Sequence, residues 1–70
     1  MEQTVIELTS EFIELNQLLK IAGLVDSGGA GKHMVDSGVV SVDGKQELRK
    51  TAKIRAGQVV TVGDMRIRVQ

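Results

Sequence analysis

Seventy residues allow one small domain, and the absence of cysteine excludes disulfides and thiolate metal sites. A lone histidine cannot build a zinc site, no apolar run approaches the roughly 20 residues that cross a bilayer, and a cysteine-free chain without a leader pattern is expected in the cytoplasm. Charge is balanced overall but unevenly placed: through Gly31 only Lys20 faces five acids, a net −4, whereas from Lys32 onward eight bases face four acids, a net +4.

Taken in order, Thr4-Val5-Ile6-Glu7-Leu8 is rich in β-branched residues and suits a short edge strand. Thr9 or Ser10 offers a cap for a helix over Glu11–Ala22, in which Leu15, Leu18, Leu19 and Ala22 repeat at i, i+3, i+4 and i+7. Glu11 and Glu14 would fall in its first turn and Lys20 near its last, with Gly23 closing it. Asp26-Ser27 opens a second, glycine-laden helix whose Ala30, Met34 and Val35 would face the core and which Gly38 ends. The period then changes to two. Val39–Val42 and Lys45–Arg49 flank Asp43-Gly44, a primed hairpin turn, and Ala56-Gly57 and Gly63-Asp64 make two further turns. Between those turns lies a strand over Gln58–Val62. After them Met65, Ile67 and Val69 point inward while Arg66 and Arg68 point out. Two helices followed by a small twisted antiparallel sheet define an α+β domain spanning residues 1–70, with a core from about residue 11. Phe12 is the only aromatic, so that core must be aliphatic and base stacking on rings is not expected.

The chemistry-bearing stretch is Lys45–Arg55. It holds Lys45, Arg49, Lys50, Lys53 and Arg55 against the single acid Glu47, a net +4. Its plain reading is a solvated surface; its functional reading is a site for a polyanion, since Arg offers a planar fork to phosphate and Lys a mobile point charge. Gly28-Gly29-Ala30-Gly31-Lys32 is not a phosphate loop. Asp26 stands where that motif needs its first glycine, and His33 where it needs the magnesium-binding Ser or Thr. Ser27 and Gly28 at the start of the second helix can nonetheless meet one phosphate, with Lys32 a turn further on and His33 as an additional contact. Glu7, Glu11 and Glu14 read as a solvated helix face. No nucleophile, base and orienting group assemble, so no enzyme, cofactor, metal or small-molecule substrate is expected.

The order of helix, glycine loop, helix, Gly-x-Val-x-Val, turn and basic strand resembles the RNA-binding domain named for small-subunit ribosomal protein S-four, the αL motif, and within it the small stand-alone YbcJ-like branch. Leu15, Leu18, Leu19 and Gly23 match its first helix and cap, and Ser27, Lys32 and Met34-Val35 its second. Gly38–Gly44 matches its Gly-x-Val-x-Val-Asn-Gly signature with Asp43 in place of Asn, and Lys53–Val60 its closing basic strand with Gln58 in place of Asp. The chain departs from the family's usual Arg-Leu-Asp at Glu14-Leu15-Asn16, and has Gly28 where an Arg often follows the serine. The resemblance implies a monomeric, non-catalytic protein that binds structured ribosomal or transfer RNA, with contacts carried by Lys32, Lys45, Arg49, Lys50, Lys53 and Arg55. The competing expectation is a protein-docking adaptor that uses the same charged surface.

Overall fold

The structure is a computed structural model that describes residues 2–70. Its element order is β1 (Glu2–Ile6), β2 (Ile13–Glu14), α1 (Leu15–Ile21), α2 (Gly28–Asp36), β3 (Val40–Val42), β4 (Lys45–Gln46), β5 (Lys53–Ile54), β6 (Val59–Val62) and β7 (Met65–Val69). The α+β class stands, but the helices are not N-terminal, since two strands precede them. The main sheet runs β1-β7-β6-β3-β4 and is not purely antiparallel, because β1 lies parallel to β7, with Thr4 beside Ile67 and Ile6 beside Val69. β2 and β5 form a separate antiparallel ribbon.

That ribbon explains why α1 begins four residues later than the leucine period suggests. Ile13 and Glu14 are extended, opposite Ile54 and Lys53. The first free donors of α1 are then met by the returning chain: Leu15 N–H donates to Ala52 O at 2.9 Å and Asn16 N–H to Lys50 O at 3.1 Å. The N-cap is therefore Glu14, whose side chain makes no capping bond, rather than Thr9 or Ser10, and the first turn carries no acid. Lys20 does lie in the last turn, and Gly23 takes a left-handed φ of +82°.

α2 follows the sequence more closely. Ser27 Oγ accepts from Ala30 N–H at 3.1 Å, and Gly38 stands just beyond the helix with φ +86°. Its buried residues are Gly31 and Val35, whereas Ala30 is exposed, against expectation. A methyl group built on Gly31 would lie 2.6 Å from the Asn16 carbonyl oxygen. The two helices thus meet backbone to backbone, and a glycine is what lets them.

The hairpin at Asp43-Gly44 has positive φ at both positions, +51° and +84°, as a primed turn needs. Its returning strand is only Lys45–Gln46 rather than Lys45–Arg49. β7 alternates as read, with Ile67 and Val69 buried and Arg66 and Arg68 exposed. The core is aliphatic: Leu15, Leu18, Leu19 and Val35 of the helices cover Val40, Val60, Ile67 and Val69 of one sheet face, and Ile54 joins from the ribbon. Each such side chain contributes about 1.5–3 kcal/mol of burial.

Candidate nucleic-acid interface

Three groups of side chains are brought together on the helix side of the molecule. At the ribbon, Phe12 comes just before β2, and Lys53 and Arg55 lie on and just after the facing strand. Lys53 Nζ stands 4.9 Å and Arg55 Cζ 5.7 Å from the Phe12 ring centroid. Both distances are within cation–π range. Glu14 faces Lys53 in the register, yet the ion pairs among the described residues are only Arg49–Glu47 and Lys50–Asp36.

The second group is the junction of the two helix starts. A methyl group on Gly28 would lie 3.3 Å from Gln17 Nε2 and 3.9 Å from Asn16 Nδ2, so two side-chain amides border the opening turn of α2. The first bond within α2 runs from Gly31 N–H to Ser27 O at 3.0 Å, which leaves the Gly28 and Gly29 N–H groups ahead of the helical ladder. Ser27 is occupied as the cap, so its hydroxyl serves the helix itself. Asn16 is 1% exposed and its Oδ1 has no hydrogen-bond partner.

The third group lies along α2. Lys32 is one turn before Asp36, on the same helix face, and Lys50 Nζ reaches Asp36 Oδ1 at 3.8 Å. Both partners of that pair are well exposed, so the attraction is weak and the lysine remains available. His33 is exposed on the neighbouring flank.

Arg49 and Lys45 stand differently. Arg49 is held by one carboxylate through three bonds of 3.0 Å, from Nε and backbone N–H to Glu47 Oε2 and from Nη2 to Oε1. The side-chain bond from Arg49, followed by its backbone bond, holds the Glu47 carboxyl below the usual glutamate range; the same carboxylate raises the guanidinium further. Lys45 is exposed on the edge strand β4. The turn just before it is tied to the Arg55 region by a relay in which Arg55 N–H donates to Gln58 Oε1 at 2.8 Å and Gln58 Nε2 to Asp43 Oδ2 at 3.2 Å. Asp43 and Gln58, two of the positions at which the chain departs from the family's usual pattern, are thus hydrogen-bonded to each other.

Of the cations read from the sequence, Lys53 and Arg55 gather at Phe12, Lys50 reaches Asp36 one helical turn beyond Lys32, and Arg49 is paired with Glu47. Sequence reasoning missed Phe12, Asn16 and Gln17 as neighbours of these cations. Phe12 fits the leucine repeat and so reads as core. Asn16 carried a signal, being a polar residue at a position four after Phe12 and three before Leu19.

The S4 domain family model matches residues 6–70, nearly the whole chain. YbcJ of Escherichia coli K12 is 42% identical over 57 residues, covering 81% of each chain. RlbA of Bacillus subtilis, named for ribosome maturation, is 33% identical over 57 residues, covering 81% of this chain and 80% of its own. The solution structure of E. coli YbcJ, with an αL motif involved in RNA binding, superposes with a TM-score of 0.69 at 36% identity, covering 99% of this chain and 86% of that one. Two helices over a small sheet, the Gly38–Gly44 signature and this full-length match together place the chain in the S4 domain family.

Proposed function

We propose that this protein is a non-catalytic RNA-binding module that grips structured RNA, ribosomal or transfer, through phosphates. The observation that carries the reading is the placement of Lys53 and Arg55 over the Phe12 ring, on the ribbon that leads into α1, with Lys50 reaching across to Asp36 of α2. Lys32, Lys50, Lys53 and Arg55 each neutralise a phosphate, with Lys45 extending the track past Asp43-Gly44. The N–H groups of Gly28 and Gly29 take one further phosphate oxygen, aided by the exposed Gln17 amide. An unpaired base that displaces one cation finds a ring face at Phe12. Arg49 joins only when it leaves Glu47. The likeness to YbcJ, a protein with an αL motif involved in RNA binding, supports this assignment.

Phosphate contacts position a nucleic acid without reading its sequence, so discrimination among RNAs comes from shape. Four neutralised phosphates give a slope of log affinity against log salt of about −3 to −4. The test is titration of a structured RNA hairpin with wild-type protein and with the K32Q/K50Q/K53Q/R55Q variant across a salt series. Loss of binding with an intact fold supports the reading. A salt-independent affinity, or full binding by the variant, rejects it.

A further inference from the structure

The face of the main sheet turned away from the helices is a surface that the RNA reading leaves unused. Strand register places Gln3, Arg66, Thr61, Ser41 and Gln46 in one row across all five strands. None of them is buried. Next to this row, Arg68 lies between Val5 on one side and Val59 on the other. At the opposite end the β3–β4 ladder continues by one step, since Glu47 N–H donates to Val40 O at 2.9 Å, and Val39 and Leu48 are the residues that immediately flank that pair. Val5 is 49% exposed, Val39 51% and Leu48 54%. These are three of the four large aliphatic side chains that the protein leaves in water.

The same face is cationic at its centre, with one acid, Glu7, at its rim: Gln70 N–H to Ile6 O and Leu8 N–H to Gln70 O carry the β1–β7 ladder one step further and set Glu7 beside Gln70, two residues beyond Val5. Arg66 and Arg68 stand two residues apart, about 6.6 Å along the strand. Neither is among the ion pairs of the described residues. Two further acids lie in turns at the margins: Asp64 before β7, and Asp43, whose carboxylate is already bonded to Gln58 and to the Val59 N–H. From a central pair of guanidinium groups, flanking hydroxyls and amides, and aliphatic side chains at both ends, we infer that this face docks an acidic protein segment carrying aliphatic residues between its carboxylates. The occupant follows from elimination and from charge. Phosphate chains have nothing to place on Val5, Val39 and Leu48, and the face offers no ring for a base. A second copy related by a two-fold axis would set Arg66 and Arg68 against their own like charges. Arginine amid aliphatic contacts is the composition of protein interfaces. Because the face is opposite the helices, the protein would hold RNA on one side and a protein on the other.

The test uses the whole protein, isotope-labelled for amide-shift mapping, with a synthetic peptide of alternating Glu and Leu as the probe and its Lys-Leu counterpart as control. The Glu-Leu peptide is expected to shift Val5, Ser41, Thr61 and Arg66–Arg68 amides and to bind at least tenfold more weakly to R66Q/R68Q and to V5S/V39S. K50Q/K53Q should bind it as wild type does. All these side chains are exposed, so a dispersed spectrum confirms that each variant is folded. Absence of shifts at millimolar peptide overturns the inference, as does binding that follows Lys50–Arg55 or ignores V5S/V39S. A short RNA that shifts the same sheet amides, and loses that effect in R66Q/R68Q, would reassign the face to nucleic acid. None of these outcomes depends on whether the helix side binds RNA, which the hairpin titration decides separately.

Discussion

Replacing Gly31 by alanine tests whether close helix contact holds the candidate interface together. The added methyl would lie 2.6 Å from the Asn16 carbonyl oxygen and 3.3 Å from its Cα and carbonyl carbon. Ordinary contact begins near 3.4 Å, and the obstacle is backbone, which has no rotamer to escape into. The helices must therefore separate by most of an ångström, loosening Leu15, Leu19 and Val35. Overpacking of this kind costs about 1–3 kcal/mol, and the better helix propensity of alanine returns about 1. A net loss of up to about 2 kcal/mol is expected, from a domain whose core supplies only about 3–5. Its upper end corresponds to a fall of roughly 8–16 °C in Tm, read by circular dichroism. Gly29→Ala is the matched control, because its methyl would meet only the Ser27 hydroxyl at 3.9 Å. It should hold or raise the Tm. If Gly31→Ala proves as stable as Gly29→Ala, the close contact is not what fixes α2, and the placement of Gly28 and Lys32 needs another cause.

Three further outcomes follow from the polar contacts. The Glu47 carboxyl is held below its usual value by Arg49, so the pair contributes stability at pH above the unfolded glutamate value of about 4.3 and loses it as pH falls below that; acid titration of unfolding should show Arg49→Gln losing less stability than wild type in that window. The same pairing predicts that Glu47→Gln releases Arg49 and steepens the salt slope for RNA by about 0.7–0.9, and an unchanged slope would remove Arg49 from the interface. At the hairpin, Gln58→Asp puts a second carboxylate where an amide now bonds Asp43 at 3.2 Å, a repulsion of about 1 kcal/mol even at the dielectric constant of water. Asp43→Asn added to it restores one amide and one carboxylate with the roles exchanged; denaturant unfolding should show the double variant regaining most of the loss, and simple additivity would refute the coupling.

The parts of this fold that local chemistry decides were legible. Ser27 caps α2, Asp43-Gly44 turns the hairpin, and the alternation of β7 sorts Ile67 and Val69 from Arg66 and Arg68. The parts that depend on distant partners were not. Two residues, Ile13 and Glu14, have no period of their own; they are extended because Lys53 and Ile54, some forty positions later, supply the ladder. β1 reads as an edge strand, but nothing near it in the chain says that its neighbour is the last strand or that the two run parallel. Gly31 is silent to any hydrophobic count because its contribution is a missing side chain. At the candidate site, cation positions could be read while their partners could not. Arg49 and Lys53 look alike in sequence, and only the loop geometry gives one a carboxylate and the other an aromatic ring.

Charge placement also bears on how binding must work. The protein is neutral overall, so it has no net charge with which to draw in a polyanion from a distance. Attraction at physiological salt reaches only about 8 Å, roughly the spacing of neighbouring side chains. Within that range the helix side offers Lys32, Lys50, Lys53 and Arg55, partly offset by Asp36 and by Glu14 opposite Lys53. Four partly compensated cations make a weak adhesive by themselves. On the proposed reading, contacts that salt does not screen carry a share: the Phe12 ring, the opening N–H groups of α2 and the amide of Gln17. The backbone contact at Gly31 sets α2 against α1 and so places the last two relative to each other, which makes fit, rather than accumulated charge, the property that a structured RNA would have to satisfy here.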